Sequence, residues 1–276
     1  MHLGRDRVIV AHELGDGLIV DPGPSTCLET LLAGLSSEPR ALLLTHIHLD
    51  HAGASGLIAQ RFPELRVYVH EAGAPHLVDP TKLLESAARL YGEDMDRLWG
   101  EVAPVPGWRI TSLVGGESIE GLDVVYTPGH ASHHVAYFDP TSGDAYVGDV
   151  AGVRIPPAGP TIAPTPPPDI DLEAWERSLD VVERWRPERL RLTHFGARPA
   201  DEGLADARAA LARARERSKV GNREAFLASL AREIAGAASA DEADRSEQAA
   251  PPEQCWLGLE RYWRKRRERE ELAQSV

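Results

Sequence analysis

The segment Thr45-His46-Ile47-His48-Leu49-Asp50-His51 packs three imidazoles and a carboxylate directly behind the apolar run Ala41-Leu42-Leu43-Leu44. Imidazole nitrogens and carboxylate oxygens ligate divalent cations. Alternate residues of an extended segment point to one side, so His46 and His48 can converge on one ion while Asp50 and His51 serve a second. No thiolate takes part. Such a donor set suits zinc first, with iron or manganese as alternatives, and leaves coordination positions open for water and substrate, as a catalytic site requires. A metal-free surface cluster of histidines fits poorly with a position at the end of a buried strand.

Strands and helices must deliver these groups. Val8–Val10 and Leu18–Val20 read as short β-branched strands, and Asp21-Pro22-Gly23-Pro24 as a turn that starts a helix near Ser25. Ala41–Thr45 is a buried strand, 52–62 has helical composition, and Arg66–His70 is the next strand. Between Pro75 and Gly107 the spacing of Leu83, Leu84, Ala87, Leu90 and Tyr91 predicts a mostly helical, lid-like insert. Its leucines are assigned to the core, and Tyr91 and Trp99 to substrate contact. Arg109–Leu113, Leu122–Thr127, His134–Phe138 and Ala145–Val147 read as an antiparallel meander, and Ile155–Pro168 as an extended proline-rich loop. Asp171 caps a helix whose Leu172, Trp175, Leu179 and Val182 share one face, and strand Leu190–Thr193 runs into His194. Beyond Gly196 the composition predicts helices at 200–218, 223–235 and 255–271, with a flexible linker at 238–252. In the last helix Trp256, Leu259, Tyr262 and Trp263 read as a packing stripe and Arg264–Arg269 as a solvated helix end.

The His46-x-His48-x-Asp50-His51 pattern resembles the signature of the metallo-β-lactamase superfamily. The resemblance covers roughly Val8–Gly196 and extends to Pro128-Gly129-His130, Val147-Gly148-Asp149 and Thr193-His194, in the family's order. It implies an α/β fold, a four-layered αβ/βα sandwich with a C-terminal helical extension. Residues 1–198 would form the catalytic domain, with the lid-like insert at about 75–107, and residues 199–276 the extension. It also implies two divalent metal ions, one held by His46, His48 and His130, the other by Asp50, His51 and His194, with Asp149 bridging and Asp50 and Asp149 as the catalytic carboxylates. Asp21 matches the family's early acidic turn and either orients a ligand or only shapes the turn. His133 and His134 read as structural, although His134 falls where family members often place a supporting polar group. His2, His12, His70 and His76 follow no such pattern.

A cation pair lowers the pKa of a shared water toward about 7 and polarises a carbonyl or phosphoryl oxygen, so a metal-bridged hydroxide can act without a side-chain base. Hydrolysis of a small ester, thioester or lactone is therefore expected. Within the superfamily the likeness is to glyoxalase II-like hydrolases, because His48 stands where flavodiiron relatives carry a carboxylate. The glutathione-binding residues of that family find no match in Ala200–Val276. A mononuclear-iron persulfide dioxygenase and a small phosphodiester hydrolase remain as alternatives on the same fold, whereas a closed structural zinc site would usually contain Cys. The net charge of −13 disfavours nucleic acid as partner or substrate, the superfamily's RNA-processing nucleases included, and leaves a small molecule. Cys27 and Cys255 have no paired spacing, and charges interrupt Met1–Val20, so a cytoplasmic protein with no membrane segment is expected. A homo-oligomer is left open.

Overall fold

The computed structural model describes residues 2–274, and its elements are set by two alternating patterns of apolar side chains. The first sheet contains β1 (His12–Glu13), β2 (Leu18–Val20), β3 (Ala41–Leu43), β4 (Arg66–His70) and β5 (Ile110–Leu113), hydrogen-bonded in that order. The second runs β11-β10-β9-β8-β7-β6, from β6 (Ser118–Ile119), β7 (Leu122–Tyr126), β8 (Val135–Asp139) and β9 (Asp144–Tyr146) to β10 (Arg189–Leu192) and β11 (Gly196–Pro199). Strand side chains alternate between faces. Leu18, Val20, Ala41, Leu43 and Leu113 of the first sheet meet Leu122, Val124, Val135 and Tyr137 of the second, forming the layer between the sheets.

The intervening residues face outward onto helices. Ile19, Leu42, Val67 and Val69 pack on α1 (Leu28–Gly34), α3 (Ser55–Arg61) and α4 (Ala74–Val78); α2 (Leu49–Ala52) precedes α3. The insert continues through α5 (Thr81–Tyr91) and α6 (Met95–Trp99). Behind the second sheet, Ala136, Ala145, Leu190 and Leu192 pack on α7 (Leu172–Arg184) and α8 (Ala200–Lys219). The same cluster continues without a break into α9 (Arg223–Ala237) and α11 (Pro252–Gln274), through Phe226, Leu230, Trp256 and Leu259. Helices, sheet, sheet, helices make the four-layered αβ/βα sandwich that the resemblance implies. Asp171 caps α7 by accepting from the Ala174 N–H, as its sequence context predicts.

Three expectations are corrected. Val8–Val10 is not a strand; the Val10 N–H donates to the Thr193 carbonyl, beside the end of β10. Arg109–Leu113 does not join the meander, because the helical insert acts as a crossover and sets β5 parallel to β4 in the first sheet. The supposed linker at 238–252 contains a helix, α10 (Ala240–Ala249), started by a capping box in which Ser239 and Glu242 satisfy each other's backbone N–H groups. Its buried residues are Glu242 and Ser246, so apolar periodicity could not announce it. Met1, Ser275 and Val276 lie outside the described residues.

Candidate metal centre

All seven candidate ligands converge where the carboxyl ends of β3, β9 and β10 meet. His46 follows β3, and His48 is the extended residue that starts α2. Asp50 and His51 therefore project from a first helical turn, not from the extended segment expected, and the turn carries them to the other side of the cluster from His48. Two glycines set the remaining loops. Gly129, before His130, has φ +139°, and a Cβ there would lie 2.4 Å from the Trp175 Cα. Gly148, before Asp149, has φ +47°, and its Cβ would meet Thr45 Oγ1 at 2.5 Å.

Donor atoms of His46, His48 and His130 form one group within 4.8 Å of one another, and those of Asp50, His51 and His194 form another. Asp149 stands between them. Its Oδ2 lies 3.4 Å from His130 Nε2, while Oδ1 lies 3.5 Å from His51 Nε2 and 3.8 Å from His194 Nε2. His48 Nδ1 lies 3.0 Å from His130 Nε2, and His194 Nε2 lies 3.3 Å from Asp50 Oδ2.

The far nitrogen of each remaining imidazole is tied down. His51 Nδ1 donates to Asp21 Oδ2 at 2.8 Å, His130 Nδ1 to the Pro164 carbonyl at 2.9 Å and His194 Nδ1 to the Val8 carbonyl at 2.6 Å. His46 Nδ1 lies 3.1 Å from Thr45 Oγ1, which itself donates to Asp21. These bonds select the tautomer whose Nε2 lone pair faces the centre. Among the described residues, Nε2 of His46, His51 and His194 and Oδ1 of Asp149 are buried without a hydrogen-bond partner. These four partnerless atoms belong to the ligand groups and fit bound cations, since a buried polar atom left unpaired is costly.

Asp21 shapes the turn and also supports the site. Its buried carboxylate accepts from the Thr45 N–H and the hydroxyls of Thr45 and Thr193, besides His51. His134, read as structural, accepts from the Asp149 N–H through Nε2 at 3.3 Å and binds Thr127 Oγ1 through Nδ1. His133 faces the Ile47 N–H.

Electrostatics divide the cluster. Burial pushes the pKa of His46 and His48 down, with neighbouring imidazoles adding to it, and His48 falls to about 3. Burial opposes charge on His51 and His194 too, but the Asp149 carboxylate, with Asp21 and Asp50 beside His51 and Asp50 beside His194, outweighs it and raises both. Burial likewise works against ionised Asp50 and Asp149, yet His51 and its neighbours hold both carboxyls well below their usual range. A cation binds ionised carboxylates and neutral imidazoles, so the lowered values of His46, His48, Asp50 and Asp149 favour the ligating forms, whereas His51 and His194 would have to release a proton to ligate.

The cluster floors a cavity of about 370 Å³. Tyr91 lines it, as expected of a substrate contact; Trp99 does not line it and instead packs edge-on behind Tyr91, with ring centroids 5.0 Å apart. Leu83 and Leu90, assigned to the core, line the cavity as well. His76 also faces it, while His12 and His70 make contacts elsewhere, with the Leu192 carbonyl and the Tyr126 ring.

Residues 8–194 match the sequence profile of the metallo-beta-lactamase superfamily. The chain belongs to the metallo-β-lactamase superfamily. Similar superfamily proteins include a hydroxyacylglutathione hydrolase of Thermosynechococcus vestitus, 28% identical over 138 residues that cover 50% of this chain and 44% of that protein. The chain thus spans less than half the length of that relative. An archaeal superfamily protein of Sulfolobus tokodaii superposes with a TM-score of 0.59 at 24% identity, over 70% of this chain and 75% of its own. A protein solved in a di-iron-bound form superposes with a TM-score of 0.56 at 27% identity, over 71% of this chain and 91% of its own.

Proposed function

We propose that the chain is a metal-dependent hydrolase of a small ester, thioester or lactone. In this reading His46, His48 and His130 hold one divalent cation, Asp50, His51 and His194 hold a second, and Asp149 bridges them. The observation that carries it is the division of the Asp149 carboxylate, one oxygen toward His130 and the other toward His51 and His194, between two groups of candidate ligand atoms. When bound, a pair of divalent cations supplies Lewis acidity that activates water near neutral pH and polarises the acyl oxygen. Asp50 and Asp149, the proposed catalytic carboxylates, both line the cavity, and Asp50, with a side chain 23% exposed, is the one that a substrate would meet first. The reading assigns the chemistry to residues 1–198 and closure of the cavity to residues 199–276.

Zinc is the first choice of metal, and the di-iron relative supports iron as the next. The hydroxyacylglutathione hydrolases among the relatives support an acyl substrate. A net charge of −13, with Lys82 the one Lys or Arg among the described residues lining the cavity, opposes polyanions. No described helix is long and apolar enough to cross a membrane.

The test combines metal analysis of the purified chain with a screen of thioesters, lactones and phosphodiesters. Two metals per chain with preferred acyl hydrolysis is the expected result. One iron with oxygen uptake on a persulfide, or preferred cleavage of phosphodiesters, would overturn it.

A further inference from the structure

The walls of the cavity differ from its floor. Three segments far apart in sequence supply apolar surface above the ligand cluster: Leu83 and Leu90 of α5, Pro166 of the proline-rich loop, and Ala249 and Pro251 at the junction of α10 and α11. The carboxylates and imidazoles of the ligand cluster gather at the floor, whereas the flanks set this hydrocarbon among a few polar groups, Lys82 and Ser86 of α5, Asp169 and Gln254. A ligand complementary to that division carries its polar, reacting group at one end and an apolar chain along the rest.

One hydrogen bond sets the spacing of two walls. Tyr91, at the end of α5, donates from Oη to Gln254 Oε1 at 3.2 Å, which joins the insert to the first turn of α11. The Tyr91 ring is fixed from behind by Trp99, and Trp99 is itself stacked on His2 with centroids 5.4 Å apart. The side chains of Tyr91 and Gln254 both line the cavity, so their contact limits its depth on that side.

We infer that this cavity holds an acyl-chain subsite: the substrate is an acyl compound with an apolar chain, and the Tyr91–Gln254 contact with its flanking apolar residues sets the chain length accepted. The inference rests on the hydrolase reading above. Burying one methylene from water favours binding enough to raise kcat/KM about fourfold. The Tyr91–Gln254 contact closes one side of the cavity, so the gain must end where a chain running that way meets it.

The metal-loaded full chain is assayed with straight-chain acyl esters of one leaving group, from acetyl to dodecanoyl, and titrated calorimetrically with the matching straight-chain alcohols. The expected result is kcat/KM rising about fourfold per methylene to an optimum and then falling, with alcohol affinity rising over the same range. Leu90→Trp moves the optimum to shorter chains, Leu90→Ala moves it to longer ones, and Gln254→Leu broadens it. Hydrolysis with no dependence on chain length, together with alcohols that bind no tighter as they lengthen, overturns the subsite and leaves the hydrolase reading standing. Absence of any acyl hydrolysis sinks the hydrolase reading, and the alcohol titration then still decides the subsite.

Discussion

The floor and the roof of the cavity are built by different physics. On the floor, His46, His51, His130 and His194 each have a second polar partner within 3.1 Å, and those partners are buried or part of the backbone. The roof is made of half-buried side chains from α5 and the start of α11, and Tyr91 reaches Gln254 through a single neutral hydrogen bond. Polar networks in low dielectric tolerate little displacement, whereas apolar walls accept substitution at modest cost. In the proposed reading chemistry and selectivity lie in separate stretches of one chain, and the two should respond differently to mutation.

The largest expected effect is at the centre of the floor. Asp149→Asn removes one negative charge between the two donor groups, and kcat/KM should fall by about 10²-fold or more, with metal stoichiometry measured alongside. Unchanged turnover would refute the bridging role. One layer out, Asp21→Asn weakens the acceptor that fixes His51 and the Thr45 and Thr193 hydroxyls, and metal affinity should fall by roughly 10- to 100-fold in a chelator competition. An affinity within twofold of the unmodified chain would reduce Asp21 to a turn residue.

Acid should also separate the two regions. Burial lowers the pKa of His46, His48, His130, His133 and His134, to about 3 for His48 and His133. The unfolded chain binds protons at these positions from about pH 6.5 downward and the folded chain does not, so stability is lost as pH falls from about 6.5 toward 3. His51 and His194, with raised values, work in the opposite sense: their contribution is full below about 6.5 and fades as pH rises through the folded value. The lowered histidines outnumber them, so the melting temperature of chelator-treated protein should drop between pH 6.5 and 4. A flat profile would contradict the burial of the floor. The smallest effect belongs to the roof. Gln254→Leu removes a part-buried neutral hydrogen bond and should cost less than about 1.5 kcal/mol of stability in denaturant unfolding, while still altering the response to acyl chain length.

The floor was legible in the sequence because its residue types are rare in that density. Three imidazoles and a carboxylate within seven positions announce a cation, and the resemblance then led to His130, Asp149 and His194, which the structure brings to the same place. The sandwich was legible only through the resemblance: the runs Leu18–Val20 and Ala41–Leu43 are apolar throughout, and it is the structure that divides them between two faces. Support from the Pro164 and Val8 carbonyls was not, because a backbone acceptor carries no residue signature. The insert side of the roof was read in part, through Tyr91, whereas its C-terminal side escaped for another reason. Helix α10 hides Glu242 and Ser246 instead of an apolar stripe, although Ser239 and Glu242 do carry the spacing of a capping box. Gln254 gives no sign in sequence that it meets a tyrosine of the insert.

The Asp21 carboxylate binds Thr45 after β3, His51 on α2 and Thr193 after β10, and His194 is oriented by the Val8 carbonyl near the start of the chain. A ribosome that has released only the first sheet has exposed the histidine-rich segment, but the clamp that orients it still lacks Thr193. If the proposed centre binds metal, high-affinity uptake must then wait for the second sheet to close, and a cation captured in the final geometry certifies that the polypeptide from Val8 to His194 has been assembled.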